Sequence, residues 1–144
     1  MHANSIKVTS TKRLIEARLG QGKYRTDLEK IWEGRCAVTG CRTGAALRAS
    51  HIKSWAISTD IERLDKYNGL LLIATLDALF DNFRISFSDT GEMLVSKYLP
   101  ENEHAILGVY GALRKIPNAE QSIYLADHRL RFQKKEIEID ESTR

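Results

Sequence analysis

Three stretches decide how this chain is read: Ala49-Ser50-His51-Ile52-Lys53-Ser54-Trp55, Asn68-Gly69-Leu70-Leu71-Leu72, and Leu76-Asp77-Ala78-Leu79-Phe80-Asp81. Leu47 to Ile52 reads as a strand with His51 near its end. The short extended run Cys36-Ala37-Val38 and the turn signals Thr39-Gly40 and Thr43-Gly44 predict that it is the second strand of a hairpin. From Lys53 to Tyr67 the pattern is polar and irregular, the mark of a surface loop. Asn68-Gly69 then turns the chain into the apolar run Leu70 to Ile73. Thr75 is predicted to cap a helix that turns Leu76, Leu79, Phe80 and Phe83 inward and stacks Asp77 and Asp81, four apart, on one face. Like charges at that spacing disfavour a helix unless a cation lies between them.

On the N-terminal side, Ser10 is read as the cap of a short helix through Leu14, Ile15, Arg18 and Leu19 that stops at Gly20. Tyr24, Leu28, Ile31 and Trp32 form the apolar stripe of a second helix ended by Gly34. On the C-terminal side, Ile85-Ser86-Phe87 and Met93-Leu94-Val95 predict a hairpin around Asp89-Thr90-Gly91. Helices follow over Glu101–Gly108 and Ser122–Phe132, with Leu125, His128 and Phe132 on one face, and the last dozen residues should fray. His104 and His128, on these tail helices, are assigned to packing.

At 144 residues, 42% hydrophobic and 28% charged, the chain has the size of one domain over residues 1–144, without internal repeats. No apolar run approaches the roughly 20 residues of a membrane helix, and the N-terminus lacks a secretory pattern. Cys36 and Cys41 are too few for a disulfide framework or a Cys-only zinc site; Cys36 reads as a small buried residue and Cys41 as a loop thiol. A reducing cytoplasm is the expected home. Charge is unevenly spread: 13 Lys and Arg face 7 Asp and Glu up to residue 66, whereas 9 face 12 beyond it. A basic first half suits a polyanionic partner such as nucleic acid.

Strand, His51, loop, Asn68 and acid-bearing helix, in that order, resemble the HNH endonucleases. The flanks Gly20-Gln21-Gly22-Lys23-Tyr24-Arg25, Gly34 to Gly40 and Tyr124 to Arg129 look similar to one bacterial branch associated with restriction and defence, so the likeness runs over roughly residues 18–132. It implies an α+β fold: a ββα-metal finger over about 35–83, helical flanks over about 10–34 and 101–133, and an additional hairpin. It also implies that His51, Asn68 and Asp77 occupy the three motif positions. Many relatives carry Asp or His immediately before the motif His, and His at the helix position; here those places hold Ser50 and Asp77.

The chemistry follows from the residue types. Cleaving a phosphodiester requires a base to deprotonate water and a cation to offset charge growing on the phosphate. His51, neutral at physiological pH, is the candidate base, and the Asn68 amide oxygen is expected to accept its other ring N–H. Asp77, Asp81 and, more weakly, Ser50 are oxygen ligands suited to Mg²⁺ and next to Mn²⁺. Arg48, Lys53 and Arg63, with Lys66, are expected to grip DNA phosphates without strong base readout. A separate recognition or sensing domain, or a second copy of the chain, would supply specificity. Two alternatives stand beside this metal-dependent DNA endonuclease: a DNA-binding module that keeps the finger but not the activity, and a nuclease effector activated by a partner.

Overall fold

A single antiparallel strand pair organises the centre of the chain. The computed structural model describes residues 2–143, with side chains from Ser10 onward. β1 (Leu47–His51) pairs with β2 (Gly69–Ile73), setting Leu47 opposite Ile73 and His51 opposite Gly69. α3 (Ala74–Asp81) starts directly after β2 and packs back against both strands, burying Leu76 and Phe80. The ββα unit therefore exists, but its two strands differ from those expected. Cys36–Val38 is a tight turn, closed by Gly40 N–H to Cys36 C=O (3.0 Å) and Cys36 N–H to Cys41 C=O (2.9 Å). Gly40 at φ +75° curls the chain back before a ladder can extend. One backbone–backbone bond to β2 remains, from Ala37 N–H to Leu71 C=O at 2.6 Å.

α1 (His2–Ile31) covers one face of the pair as a continuous helix, so neither the cap at Ser10 nor the stop at Gly20 is realised. Glycine at 20 serves packing instead: a Cβ there would stand 2.9 Å from Leu64 Cδ2. Tyr24, Leu28 and Trp32 are buried as the apolar stripe required. The approach to β2 is closest at Gly69, where a Cβ would lie 2.0 Å from the Tyr24 hydroxyl oxygen, so only glycine fits.

The stretch read as a loop between Lys53 and Tyr67 contains a 3₁₀ turn at Trp55–Ile57 and the short helix α2 (Asp60–Leu64). Thr59 and Glu62 form a reciprocal capping box that starts α2. α3 begins one residue before the expected cap, with Ile73 at the N-cap position and Thr75 inside the helix. Beyond it, β3 (Ile85–Phe87) and β4 (Met93–Val95) make the expected hairpin, and α4 (Glu101–Leu107) ends at left-handed Gly108.

α5 (Ala119–Ser142) starts at the Asn118–Gln121 capping box and packs on β3. Its end does not fray as expected. Glu136 accepts from Ser96 Oγ and from Lys97 N–H (3.2 Å), and Asp140 accepts from the Tyr98 hydroxyl at 2.5 Å. These partners lie about forty positions away in sequence, beyond any local signal.

His128 of α5 packs as predicted, 1% exposed and stacked on Phe80 with ring centroids 3.8 Å apart. Its Nδ1 meets Ser86 Oγ at 2.7 Å and its Nε2 meets Phe80 C=O at 2.9 Å, joining α5 to α3 and β3. Burial pushes the imidazole down from 6.5 to about 4. Between those values the unfolded chain binds the extra proton, so stability is complete above pH 6.5 and declines as pH falls toward 4, by roughly 3 kcal/mol. In thermal melts across that range, His128→Gln should start lower at neutral pH yet lose less on acidification. Parallel curves for the two proteins would assign the acid sensitivity to other groups.

Candidate active site

His51 ends β1 on the face covered by α1. Its ring lies flat against Tyr24, with centroids 4.3 Å apart and planes 8° from parallel, and meets Trp55 edge-on at 5.6 Å. Nε2 lies 2.9 Å from the Arg63 backbone carbonyl. A carbonyl only accepts, so Nε2 carries the proton and Nδ1 keeps the lone pair; among the described residues Nδ1 has no hydrogen-bond partner. Burial lowers the His51 pKa and the Arg63 charge lowers it further, while the bond to the Arg63 carbonyl opposes both. The ring is half-buried, held in one orientation, and biased toward the neutral state.

Asn68 acts on this arrangement at one remove. Its amide oxygen accepts from Lys53 N–H at 2.8 Å, not from the imidazole as expected, because Arg63 already takes the ring N–H. Its amide nitrogen donates to Glu62 C=O at 3.0 Å, next to Arg63, and lies 3.5 Å from Ser58 Oγ. Its own carbonyl accepts from the Tyr24 hydroxyl at 2.7 Å. Fully buried, Asn68 ties both ends of the 53–67 excursion together and so fixes the carbonyl that holds His51.

Asp77 and Asp81 stand four apart on α3, Asp77 half-buried and Asp81 exposed, and neither makes an ion pair or hydrogen bond among the described residues. Strand alternation turns Ser50, with Leu70 and Leu72, to the face away from Tyr24. Ser50 is buried. Among these residues no three His, Cys, Asp or Glu side chains converge to hold an ion, so His51 and the two acids do not form one preformed ligand set. What remains is the pair of unpaired carboxylates, Asp77 and Asp81, one helical turn apart on α3. That fits Mg²⁺, which is bound through one or two carboxylates, waters and substrate phosphate, and not Zn²⁺, which takes four nitrogen, sulfur or carboxylate ligands.

The three basic residues expected at DNA are placed unequally. Arg48 is exposed, and its guanidinium meets only the carbonyls of Ala45 and Leu47. Lys53 is already paired with Glu62 at 2.8 Å. Arg63 bonds the Trp55 carbonyl at 2.9 Å and lies 4.4 Å over the Trp55 ring. Lys53 and Arg63 therefore brace the loop around His51 and are not free cations.

Tyr24, Trp55 and Glu62 were not singled out from sequence as parts of the site. Of these, only Glu62 carried a readable signal, in the pattern Thr59-Asp60-Ile61-Glu62. Cys36 is buried as expected, and its sulfur accepts from Thr39 N–H and from Ile73 N–H at the start of α3, both at 3.4 Å. No helix among the described residues is long and apolar enough to cross a membrane. Residues 36–88, which contain His51, Asn68, Asp77 and Asp81, match the family model for HNH endonucleases. No curated protein matches the chain.

Proposed function

We propose that the chain, which matches the HNH endonuclease family model over residues 36–88, hydrolyses DNA phosphodiester bonds with a divalent metal, Mg²⁺ before Mn²⁺. The observation that carries the reading is the committed Nε2 of His51: it leaves Nδ1 as the acceptor through which a neutral imidazole takes a proton from water. Arg63 C=O orients the ring, and Asn68 holds that carbonyl in place. Asp77 and Asp81, with Ser50, would hold the ion. A bound divalent cation would supply charge to offset that developing on the phosphate. Arg48 is the basic side chain near His51 best left for a DNA phosphate. The bacterial branch that the sequence resembles suggests a role in restriction or phage defence, and with it a cytoplasmic location.

Plasmid nicking tests the proposal. Cleavage should appear with Mg²⁺ or Mn²⁺, vanish with chelator, and fall by about 10²-fold or more in Asp77→Asn/Asp81→Asn at limiting metal. Retarded but uncut DNA at every metal concentration would instead identify a binding module. Cleavage that survives chelation would remove the metal from the reaction.

A further inference from the structure

The C-terminal end of α3 opens into a cleft that the opening charge arithmetic gives no reason to expect. Phe83 forms one side; Arg131, Lys134, Lys135 and Glu138 of α5 form the other, around a volume of about 310 Å³. The segment after residue 66 is net acidic, yet three of its acids are placed elsewhere: Glu136 on Ser96, Asp140 on Tyr98 and Lys97, and Asp89 on Arg129. The cleft itself carries three cations: Arg131 is paired with Asp127 at 3.0 Å, while the contact of Lys135 with Glu138 is long at 3.9 Å. Lys134 has no ion-pair partner among the described residues. Phe83 adopts φ +57° at the helix end, where glycine is usual, with Arg84 N–H bonded to Leu79 C=O at 2.8 Å. A bulky residue in that conformation is strained, and strain of this kind collects at binding sites. Its ring packs on His128 at 4.9 Å, which fixes it at the cleft.

Phe83 is two residues beyond Asp81, so their backbones are at most about 7 Å apart. A DNA strand running past Asp81 therefore passes the Phe83 side of the cleft. We propose that this cleft binds the phosphodiester backbone of DNA, taking the phosphates that follow the one presented to Asp77 and Asp81, with Lys134 and Lys135 as the principal contacts and Arg131 beside them. The assignment rests on the endonuclease reading, and it runs the DNA track from β1 across the end of α3 to α5, where the basic first half alone would have kept it near residues 48–66.

Anisotropy of a labelled duplex, titrated with the whole protein in chelator over a range of salt, separates this assignment from the one beneath it. Arg131→Gln/Lys134→Gln/Lys135→Gln should weaken binding about tenfold and lower the slope of log affinity against log salt by between about 2 and 3. Glu138→Gln should tighten binding, and circular dichroism should show both variants folded. A wild-type protein that binds duplex with a steep salt slope, and a triple variant with the same slope and affinity, would overturn the cleft while leaving the nuclease intact. A wild-type protein without salt-sensitive affinity for DNA would overturn both. Equal loss of binding in His51→Ala would also count against the cleft, because that variant leaves every cation in place.

Discussion

His51→Ala is expected to lower the rate of metal-dependent nicking by about 10²–10⁴-fold, the usual contribution of a positioned general base. That range corresponds to roughly 3–5 kcal/mol of transition-state stabilisation. Affinity for uncut DNA in chelator should change little, because the base acts on water rather than on the phosphates that govern binding. The pH profile gives a second, independent readout. Burial holds the His51 imidazole below its ordinary 6.5, which favours the free base at neutral pH. The wild-type rate should climb with pH along an acid limb centred below 6.5 and then level off. The alanine variant should lack that limb in whatever activity survives. Undiminished nicking by His51→Ala would end the assignment, and an acid limb centred well above 6.5 would show that a different group titrates.

The parts of this site that were legible in sequence are those set by local chemistry. Strand-forming residues before His51, the Asn68-Gly69 turn, and the Asp77/Asp81 spacing on an apolar helix each follow from neighbours a few positions away. The pairing of strands did not follow, because it depends on closing the long 52–68 excursion. Cys36–Val38 was nearer in sequence to β1, but β2 pairs with it instead and leaves Cys36–Val38 a single backbone–backbone bond to the sheet. Gly20 illustrates the same limit: as a helix-ending residue its local meaning was clear, yet α1 runs through it, with the end of the Leu64 side chain packed where a Cβ would stand. The division of labour among polar groups was also hidden. Asn68 and His51 both have amide-like or ring donors, and only the folded loop decides that the Arg63 carbonyl takes the imidazole while Lys53 N–H takes the amide oxygen. Lys53 and Arg63 could not be told from free DNA-binding cations until Glu62 and Trp55 were seen beside them.

Asn68→Ala is expected to damage stability and turnover together. With no exposure, position 68 leaves the Lys53 N–H without a partner when its amide is removed, and leaves the Glu62 carbonyl with only the Asp65 N–H at 3.3 Å. A stranded buried donor costs about 1–3 kcal/mol, so a loss of that order and a fall in Tm of roughly 5–10 °C should follow. Because the Glu62–Arg63 backbone is then free to shift, the Arg63 carbonyl no longer fixes the His51 ring. Nicking at a temperature where the variant is fully folded should drop by about 10- to 100-fold, as for other groups that orient a reacting side chain, with duplex affinity preserved. Asn68→Asp separates the clamp from simple packing. Its ionised form keeps an acceptor for Lys53 N–H but presents a second negative oxygen to the Glu62 carbonyl, whereas its protonated form restores a donor there and matches the shape of asparagine. Burial and that carbonyl raise the folded-state pKa above the ordinary 3.9 or so of aspartate. The recovered stability is then present at low pH and lost as pH rises through the folded value, so the gap in Tm between Asn68→Asp and wild type should narrow on acidification. A gap that stays constant with pH would mean that position 68 acts by filling space, and that the orientation of His51 is secured by Tyr24 and Trp55 alone.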